Sequence, residues 1–196
     1  MFSITRNGKP LNKNLYKIDV ENKTFSTKEN GLILDFTNNH HWTFTTGFDC
    51  IFKTSHNCTF TTEFNCTFIT QGKCNFKTHQ RCSFHTNFDC VFYTGYECTF
   101  DTPSYCRFNT GHNCTFNTED DCIFKTGSCC TFKTRSGCTF NTGSNCVFNL
   151  IDDCILNCEE HCICIRSNIP EIIIIPKNQK IQLNNEFIKG YHLCSQ

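Results

Sequence analysis

The sequence predicts an all-β protein: a two-sided parallel β-solenoid with about 16 residues per coil, two octads per coil, and a capping segment at each end. Three observations predict it. Cys recurs every eight residues from Cys50 to Cys162, and 15 of the 19 Cys fall on that one register. Phe follows two places later from Phe52 to Phe148, and Thr four places later from Thr54 to Thr142. Finally, Gly at the first position of the connecting triplets occurs only in every second triplet.

In chain order, residues 1–33 read as an N-terminal cap. They carry Lys9, Lys13, Lys17, Lys23 and Lys28, with strand-like stretches at Tyr16 to Val20 and Leu32 to Phe36. A solenoid end needs an atypical segment because an uncapped end exposes strand edges that aggregate. Residues 34–164 form the octapeptide repeat, Cys-x-Phe-x-Thr-x-x-x. It extends backwards in degraded form, with Trp42, Phe44 and Thr46 in the three slots and Leu34, Phe36 and Asn38 before them, giving 17 units from Leu34 to Cys162.

Residues spaced by two share one face of an extended strand, so Cys, Phe and Thr point inward. The alternate positions, among them Lys53, Lys77, Arg107 and Lys133, meet water. The triplets are turn-forming, as in Gly111-His112-Asn113 and Gly143-Ser144-Asn145. An apolar period of 2 and a shortage of helix formers exclude helix here.

The corners set the number of units per turn. Their first positions from 47 to 151 hold five Gly, at 47, 95, 111, 127 and 143, all in the alternate set that begins at 47. Chance gives that about once in a hundred. A period of sixteen follows, with one corner expected to use Gly for a positive φ. Opposed Phe rings then fill the gap of about 10 Å between two sheets, and eight and a half coils at about 4.8 Å make a rod of roughly 40 Å. Cys stacked at that spacing lies wider than the roughly 3.8 Å Cβ separation of a disulfide. The two Cys ladders are therefore expected to be free thiols packing as small apolar groups, with the Thr hydroxyls satisfied on neighbouring rungs or corner backbone.

Residues 165–196 lose the octad and read as a strand-rich cap or oligomerisation segment. Pro170 to Pro176 encloses four Ile as one short buried strand, and Lys180 to Leu183 and Glu186 to Ile188 follow as further strands.

Composition narrows the function. A Cys content near one in ten fits a disulfide scaffold only in short secreted chains, and the N-terminus shows no signal-peptide core. No stretch approaches the roughly 18 apolar residues of a membrane helix. The 18 basic and 18 acidic residues balance, against both a general nucleic-acid binder and an acidic DNA mimic. No carboxylate pair, nucleophile with adjacent base or phosphate loop stands outside the repeat, so no enzyme activity and no cofactor are expected.

Candidate sites remain at the corners and the C-terminal end. Phe48, Phe64, Tyr96 and His112 share the middle position of the Gly corner and would stack along one edge as an interaction surface, unless the N-terminal cap covers them. Cys129 stands in a corner and is the candidate reactive thiol. Cys154, Cys158, His161, Cys162 and Cys164 have zinc-like spacing, with His192 and Cys194 further on, but Cys158 occupies a Thr slot and Cys164 a Phe slot. Core substitution is the stronger reading, and no metal is assigned. Ice binding needs two flat outward Thr columns. One column reads Thr67, Ser83, Thr99, Thr115, Thr131, but its companion reads Ile69, His85, Asp101, Asn117, Lys133.

Phrases such as Cys114-Thr-Phe-Asn-Thr, Cys130-Thr-Phe-Lys-Thr and Cys138-Thr-Phe-Asn-Thr-Gly give a resemblance to the octad-repeat proteins of giant DNA viruses of amoebae, over residues 42–164. The resemblance implies a solenoid, an infected cytoplasm or virion as location, and no activity. The lack of Ala and the excess of Asn, Ile and Lys suit an AT-rich viral genome. The chain is more distantly similar to pentapeptide-repeat proteins, which stack units of a different length around a Phe or Leu core. It resembles the octads of phage tail spikes in length only, because those intertwine as trimers. The expectation is a non-enzymatic structural or protein-interaction solenoid, acting through a protein partner or by self-association through a cap. The alternatives are a thiol- or metal-binding protein and a trimeric stalk.

Overall fold

The computed structural model describes residues 2–185 and 187–194. The N-terminal segment supplies β1 (Ser3–Arg6), β2 (Lys9–Pro10), a 3-10 turn at Lys13–Leu15, β3 (Tyr16–Asp19) and β4 (Thr24–Thr27). Next come β5 (Ile33–Phe36), β6 (Thr43–Thr45), β7 (Ile51–Thr54), β8 (Thr59–Thr61), β9 (Thr67–Ile69), β10 (Asn75–Lys77), β11 (Ser83–His85), β12 (Val91–Tyr93) and β13 (Thr99–Asp101). The repeat continues through β14 (Arg107–Asn109), β15 (Thr115–Asn117), β16 (Ile123–Lys125), β17 (Thr131–Lys133), β18 (Thr139–Thr142), β19 (Val147–Leu150), β20 (Ile155–Cys158) and β21 (Ile163–Arg166). The C-terminal segment adds β22 (Glu171–Ile174), β23 (Lys180–Leu183) and β24 (Tyr191–Leu193).

Odd strands from β5 to β21 form one parallel sheet and even strands from β4 to β20 the other, nine in each, which makes about nine coils of a two-sided solenoid. Antiparallel strands finish both ends and bring each sheet to 12: β2 and β1 beyond β5, β22 beyond β21, β3 beyond β4, and β23 and β24 beyond β20. Partners lie sixteen residues apart, as in Ser83, Phe84 and His85 against Thr99, Phe100 and Asp101. Each coil therefore closes on the coil before it in the same chain.

The core is a double column of Phe. Within a sheet successive rings stack, Phe100 on Phe116 at 4.8 Å between centroids and 3° between planes. Across the sheets they meet edge to face, Phe100 against Phe108 at 5.2 Å and 77°. Both arrangements suit the ring quadrupole. The ladder Cys are buried beside the rings and are free thiols. Their sulfurs reach corner carbonyls, as Cys66 Sγ does toward Phe64 O at 3.5 Å and Gly47 O at 3.6 Å. The Thr hydroxyls divide. Some donate to the next carbonyl, as Thr70 does to Gln71 O at 3.0 Å. Others, such as Thr102 and Thr134, have no oxygen or nitrogen partner and sit against the thiols of Cys106 and Cys138.

Three local expectations are corrected. Positive φ belongs to the third corner position, not the first: from His41 to His161 every residue preceding a Cys or its equivalent lies between 48° and 68°. Eight of these sixteen are Asn or Asp, which tolerate that conformation best after Gly. The glycines at 95, 111, 127 and 143 are instead required by close approach of successive coils. A Cβ on Gly111 would stand 3.0 Å from the carbonyl carbon and oxygen of Gly95.

Second, the first coil is longer than sixteen. Leu34 pairs with Phe52 and Phe36 with Thr54, so Leu34 fills a Phe slot and Phe36 a Thr slot, with the buried Leu32 in the Cys slot. The two extra residues are absorbed in the turn after Phe36, where Asn39 N–H donates to Phe36 O at 2.8 Å. Parallel stacking also starts at β4, where Phe25 pairs with Phe44.

Third, the Ile block is half exposed. Ile173 and Ile175 are buried, whereas Ile172 and Ile174 face outward, because β22 is an edge strand with one solvated face. Residues 187 and 188 are not in a strand, and Glu186 lies outside the described residues.

Candidate functional site

The corner conformation decides which side chains are displayed. With the third residue in the left-handed region, the middle residue of each triplet projects from the edge, and rings sixteen residues apart stack. At the Gly corner Phe48 and Phe64 stack at 4.8 Å and 5°, and Tyr96 and His112 at 5.1 Å and 3°. Gln80 occupies the position between the two pairs. The N-terminal cap does not cover this edge. It closes the end of the core, with Phe2 stacked on Phe36 at 4.7 Å, and it touches the edge where Asn30 Oδ1 accepts from Phe48 N–H at 3.1 Å. Phe64 and His112 are exposed, and Phe48 and Tyr96 half-buried.

The opposite corner carries a surface that the sequence reading missed. Phe88, a middle residue, and Tyr105, a third residue, are 52% and 60% exposed. With Lys73, Asp89, Arg107 and Asp121 they line a cleft of about 500 Å³. On the other side of that corner a groove of about 530 Å³ runs past Asn87, Pro103, Glu119 and Arg135. These aromatics occupy different triplet positions, so no column of the repeat alignment gathers them.

The outward columns of the odd sheet lie in the predicted register, Thr67, Ser83, Thr99, Thr115 and Thr131 beside Ile69, His85, Asp101, Asn117 and Lys133. The second column is a polar chain: His85 Nδ1 lies 2.8 Å from Asp101 Oδ2, and Asn117 Nδ2 donates to Asp101 Oδ1 at 2.9 Å. Such exposed pairs contribute little to stability.

At the C-terminal end the five zinc-spaced residues separate. Cys154 ends the ladder of the even sheet and Cys162 that of the odd sheet. Cys158 takes the Thr place beside Thr142, and its thiol contacts that of Cys162. Cys164 takes the Phe place beside Phe148. All four are buried, while His161 is exposed at a left-handed corner position. Among the described residues no group of three or more His, Cys, Asp or Glu is placed to hold a metal. Burial pushes the Cys164 thiol up to about 12, with Arg166 pulling the other way and Glu171 adding to the rise. For Cys162 the contact with Cys146 lowers the value, but Cys158 and burial outweigh it and leave the thiol at about 11. Thiols held protonated are poor nucleophiles and poor ligands.

Cys129 is exposed at a left-handed position of the Gly corner. Cys194 is half-buried in the last hairpin, where its N–H donates to Lys180 O at 2.9 Å, and the His192 ring lies toward Asn184. One further residue escaped the sequence reading. Arg166 occupies the Thr slot after Leu150 with its side chain fully buried. Its guanidinium donates to Ile151 O at 3.1 Å, Ile188 O at 2.8 Å and Asn185 O at 3.0 Å, and it pairs with Glu171 at 3.4 Å. It fastens the C-terminal loop to the last coil.

No helix among the described residues is long and apolar enough to cross a membrane. Comparison of the chain with protein-family models, curated proteins and solved structures gives no match.

Proposed function

We propose that this chain is a non-enzymatic solenoid that presents a rigid edge to a partner protein, with no cofactor and no nucleic-acid or membrane role. The observation that carries the reading is the stacked, partly exposed Phe48–Phe64 pair on a corner whose backbone every neighbouring coil holds in place. An aromatic surface that is already ordered loses little side-chain entropy on binding, which is why such residues dominate protein interfaces. An infected cytoplasm or virion is the proposed setting, in keeping with the resemblance to octad-repeat proteins of giant viruses.

The alternatives have weaker support. A thiol or metal role would need the C-terminal Cys group, whose thiols are buried and, at Cys162 and Cys164, pushed up so that they stay protonated. An intertwined trimeric stalk would draw pairing partners from other chains, whereas here residues sixteen apart in one chain pair from β6 to β21.

Replacing Phe48 and Phe64 with Ser tests the proposal. Immobilised wild-type chain should retain a partner from a lysate of its source cell, and the double variant should lose it while keeping its slow ladder-thiol labelling. Undiminished retention by the double variant, together with loss on replacing Phe88 and Tyr105, moves the interface to the opposite corner. Retention by neither wild type nor variant contradicts the reading.

A further inference from the structure

The two ends of the rod differ in how their strand edges are protected. At the N-terminal end the last strand of one sheet is Lys9–Pro10, where Pro gives no N–H, and the last strand of the other carries Lys17 and Asp19. Charged side chains and Pro are the usual means of keeping edges from pairing. At the C-terminal end one sheet finishes in β24, with Tyr191, His192 and Leu193, and the other in β22, whose outward residues are Ile172 and Ile174. The three most exposed large apolar side chains among the described residues all lie at this end: Phe187 at 87%, Ile174 at 77% and Ile172 at 72%.

The hydrogen-bonding groups of β22 are also turned outward. Ile175 N–H donates to Cys162 O at 3.0 Å, and the register sets Ile173 opposite Cys164 and Glu171 opposite Arg166. In an antiparallel pair these alternate residues exchange hydrogen bonds, so the N–H and C=O of Ile172 and Ile174 point away from β21. Among the described residues β21 is the only neighbour of β22. Glu171 puts no charge on this edge, because one carboxylate oxygen pairs with Arg166 and the other accepts from Gly190 N–H at 2.7 Å.

We infer that the occupant of this edge is β22 of a second copy of the chain. The segment is complementary to itself. An antiparallel pairing centred on Ile173 sets Ile172 opposite Ile174 of the second copy and Ile174 opposite its Ile172, and all the outward N–H and C=O groups of the two residues are satisfied reciprocally. On the outer face the Ile163–Ile174 and Ile165–Ile172 pairs of each copy then join into one apolar strip. Pro170 and Pro176 limit the pairing to a short stretch, a length that a second bracketed segment matches. The result is a closed two-fold dimer joined end to end, with the blunted N-terminal ends outermost. This rests on the reading of the chain as an interaction module that can self-associate through a cap, and it uses a surface remote in sequence from Phe48 and Phe64.

The test is molecular mass in reducing buffer, by sedimentation equilibrium of the full chain over about a hundredfold range of concentration. Wild type should be a dimer. Ile174→Pro removes only an N–H that β21 does not use, and Ile172→Lys with Ile174→Lys sets like charges across the two-fold; both variants should be monomeric with slow ladder-thiol labelling intact. In wild type the amides of Ile172 and Ile174 should exchange at least about tenfold more slowly at concentrations where the dimer forms than where it has dissociated. A wild-type monomer throughout, a trimer, or a dimer that persists in both variants overturns the inference. Partner retention through Phe48 and Phe64 is read separately, so failure of that reading and failure of this one are distinguishable.

Discussion

The two corners of the solenoid share one backbone turn and differ in how closely successive coils approach. At both, the third residue adopts a left-handed conformation. At the Gly corner the first residues bond directly from coil to coil, Gly95 to His79 at 2.6 Å and Gly111 to Gly95 at 2.9 Å. Along residues 103–135 of the opposite corner the same contact is longer, 3.5 Å from Glu119 to Pro103 and 3.4 Å from Arg135 to Glu119, and a groove opens beside it. Toward the ends the two corners converge, at 3.4 Å from Glu63 to Gly47 and 3.3 Å from Gly143 to Gly127 against 3.2 Å from Ile151 to Arg135. The opposite corner also accommodates Pro103, which has no N–H to donate. In its middle coils a rod built from near-identical octads is thus tighter along one edge than along the other, although at Gly72 the opposite corner also approaches the next coil closely, a Cβ there standing 2.5 Å from Phe88 O. The tight edge displays the Phe48–Phe64 and Tyr96–His112 stacks, and the open edge displays clefts together with His40 stacked on His56 at 5.2 Å.

The largest effect expected from disturbing this contrast is at the end of the open corner, where Arg166 bonds Ile151 O. Arg166→Ala leaves Glu171 without its cation and three carbonyls without donors, and should lower stability by about 3 kcal/mol or more in urea unfolding. The tight corner comes next. Gly111→Val forces a branched side chain against Gly95 and should cost about 2 kcal/mol, whereas Glu119→Val at the same position of the open corner should change stability by less than about 0.5 kcal/mol. Equal costs at the two corners would erase the distinction between them.

Alkaline pH acts on the end rather than on either corner. Cys164 is raised by burial from an ordinary thiol value of 9.0 to about 12. An acid whose folded value is raised stabilises the fold fully below its unfolded value and loses that contribution as pH rises through the folded value. Stability should therefore fall between about pH 9 and pH 12. Cys164→Ser, whose hydroxyl does not titrate there, should flatten the slope. The smallest effect tests what the corners share. Glu97→Asn on the tight side and Tyr105→Asn on the open side should each stabilise by about 0.5 kcal/mol, since both positions hold a positive φ that Asn tolerates better.

The sequence carried the coil length and both sheet faces, because burial repeats the same three residues on every rung. The role of Gly was less legible. Glycine serves positive φ and close approach equally well, and its alternation at 95, 111, 127 and 143 does not say which. The signal for φ lay one step further on, in the Asn or Asp that precedes half of the ladder Cys. The first coil was misread because a slip of two residues keeps every side chain on the same face, so Leu34, Phe36 and Asn38 fit as smoothly as Leu32, Leu34 and Phe36. The run from Ile172 to Ile175 looked fully buried because a continuous apolar run marks a strand covered on both faces. Its place at the sheet edge, which no local pattern encodes, exposes two of the four. Phe48, Phe64, Tyr96 and His112 were found by counting in sixteens; Phe88 and Tyr105 were not, because they share no column.

The claim on which both corners depend is that one coil takes sixteen residues of a single chain. Scalar couplings across backbone hydrogen bonds, measured by NMR on uniformly labelled protein, test it directly. The structure predicts couplings from Thr115 N–H to Cys98 C=O and from Thr131 N–H to Cys114 C=O, seventeen residues back in each case. Couplings from these amides to carbonyls one octad further back, or to a differently labelled second chain, would contradict it.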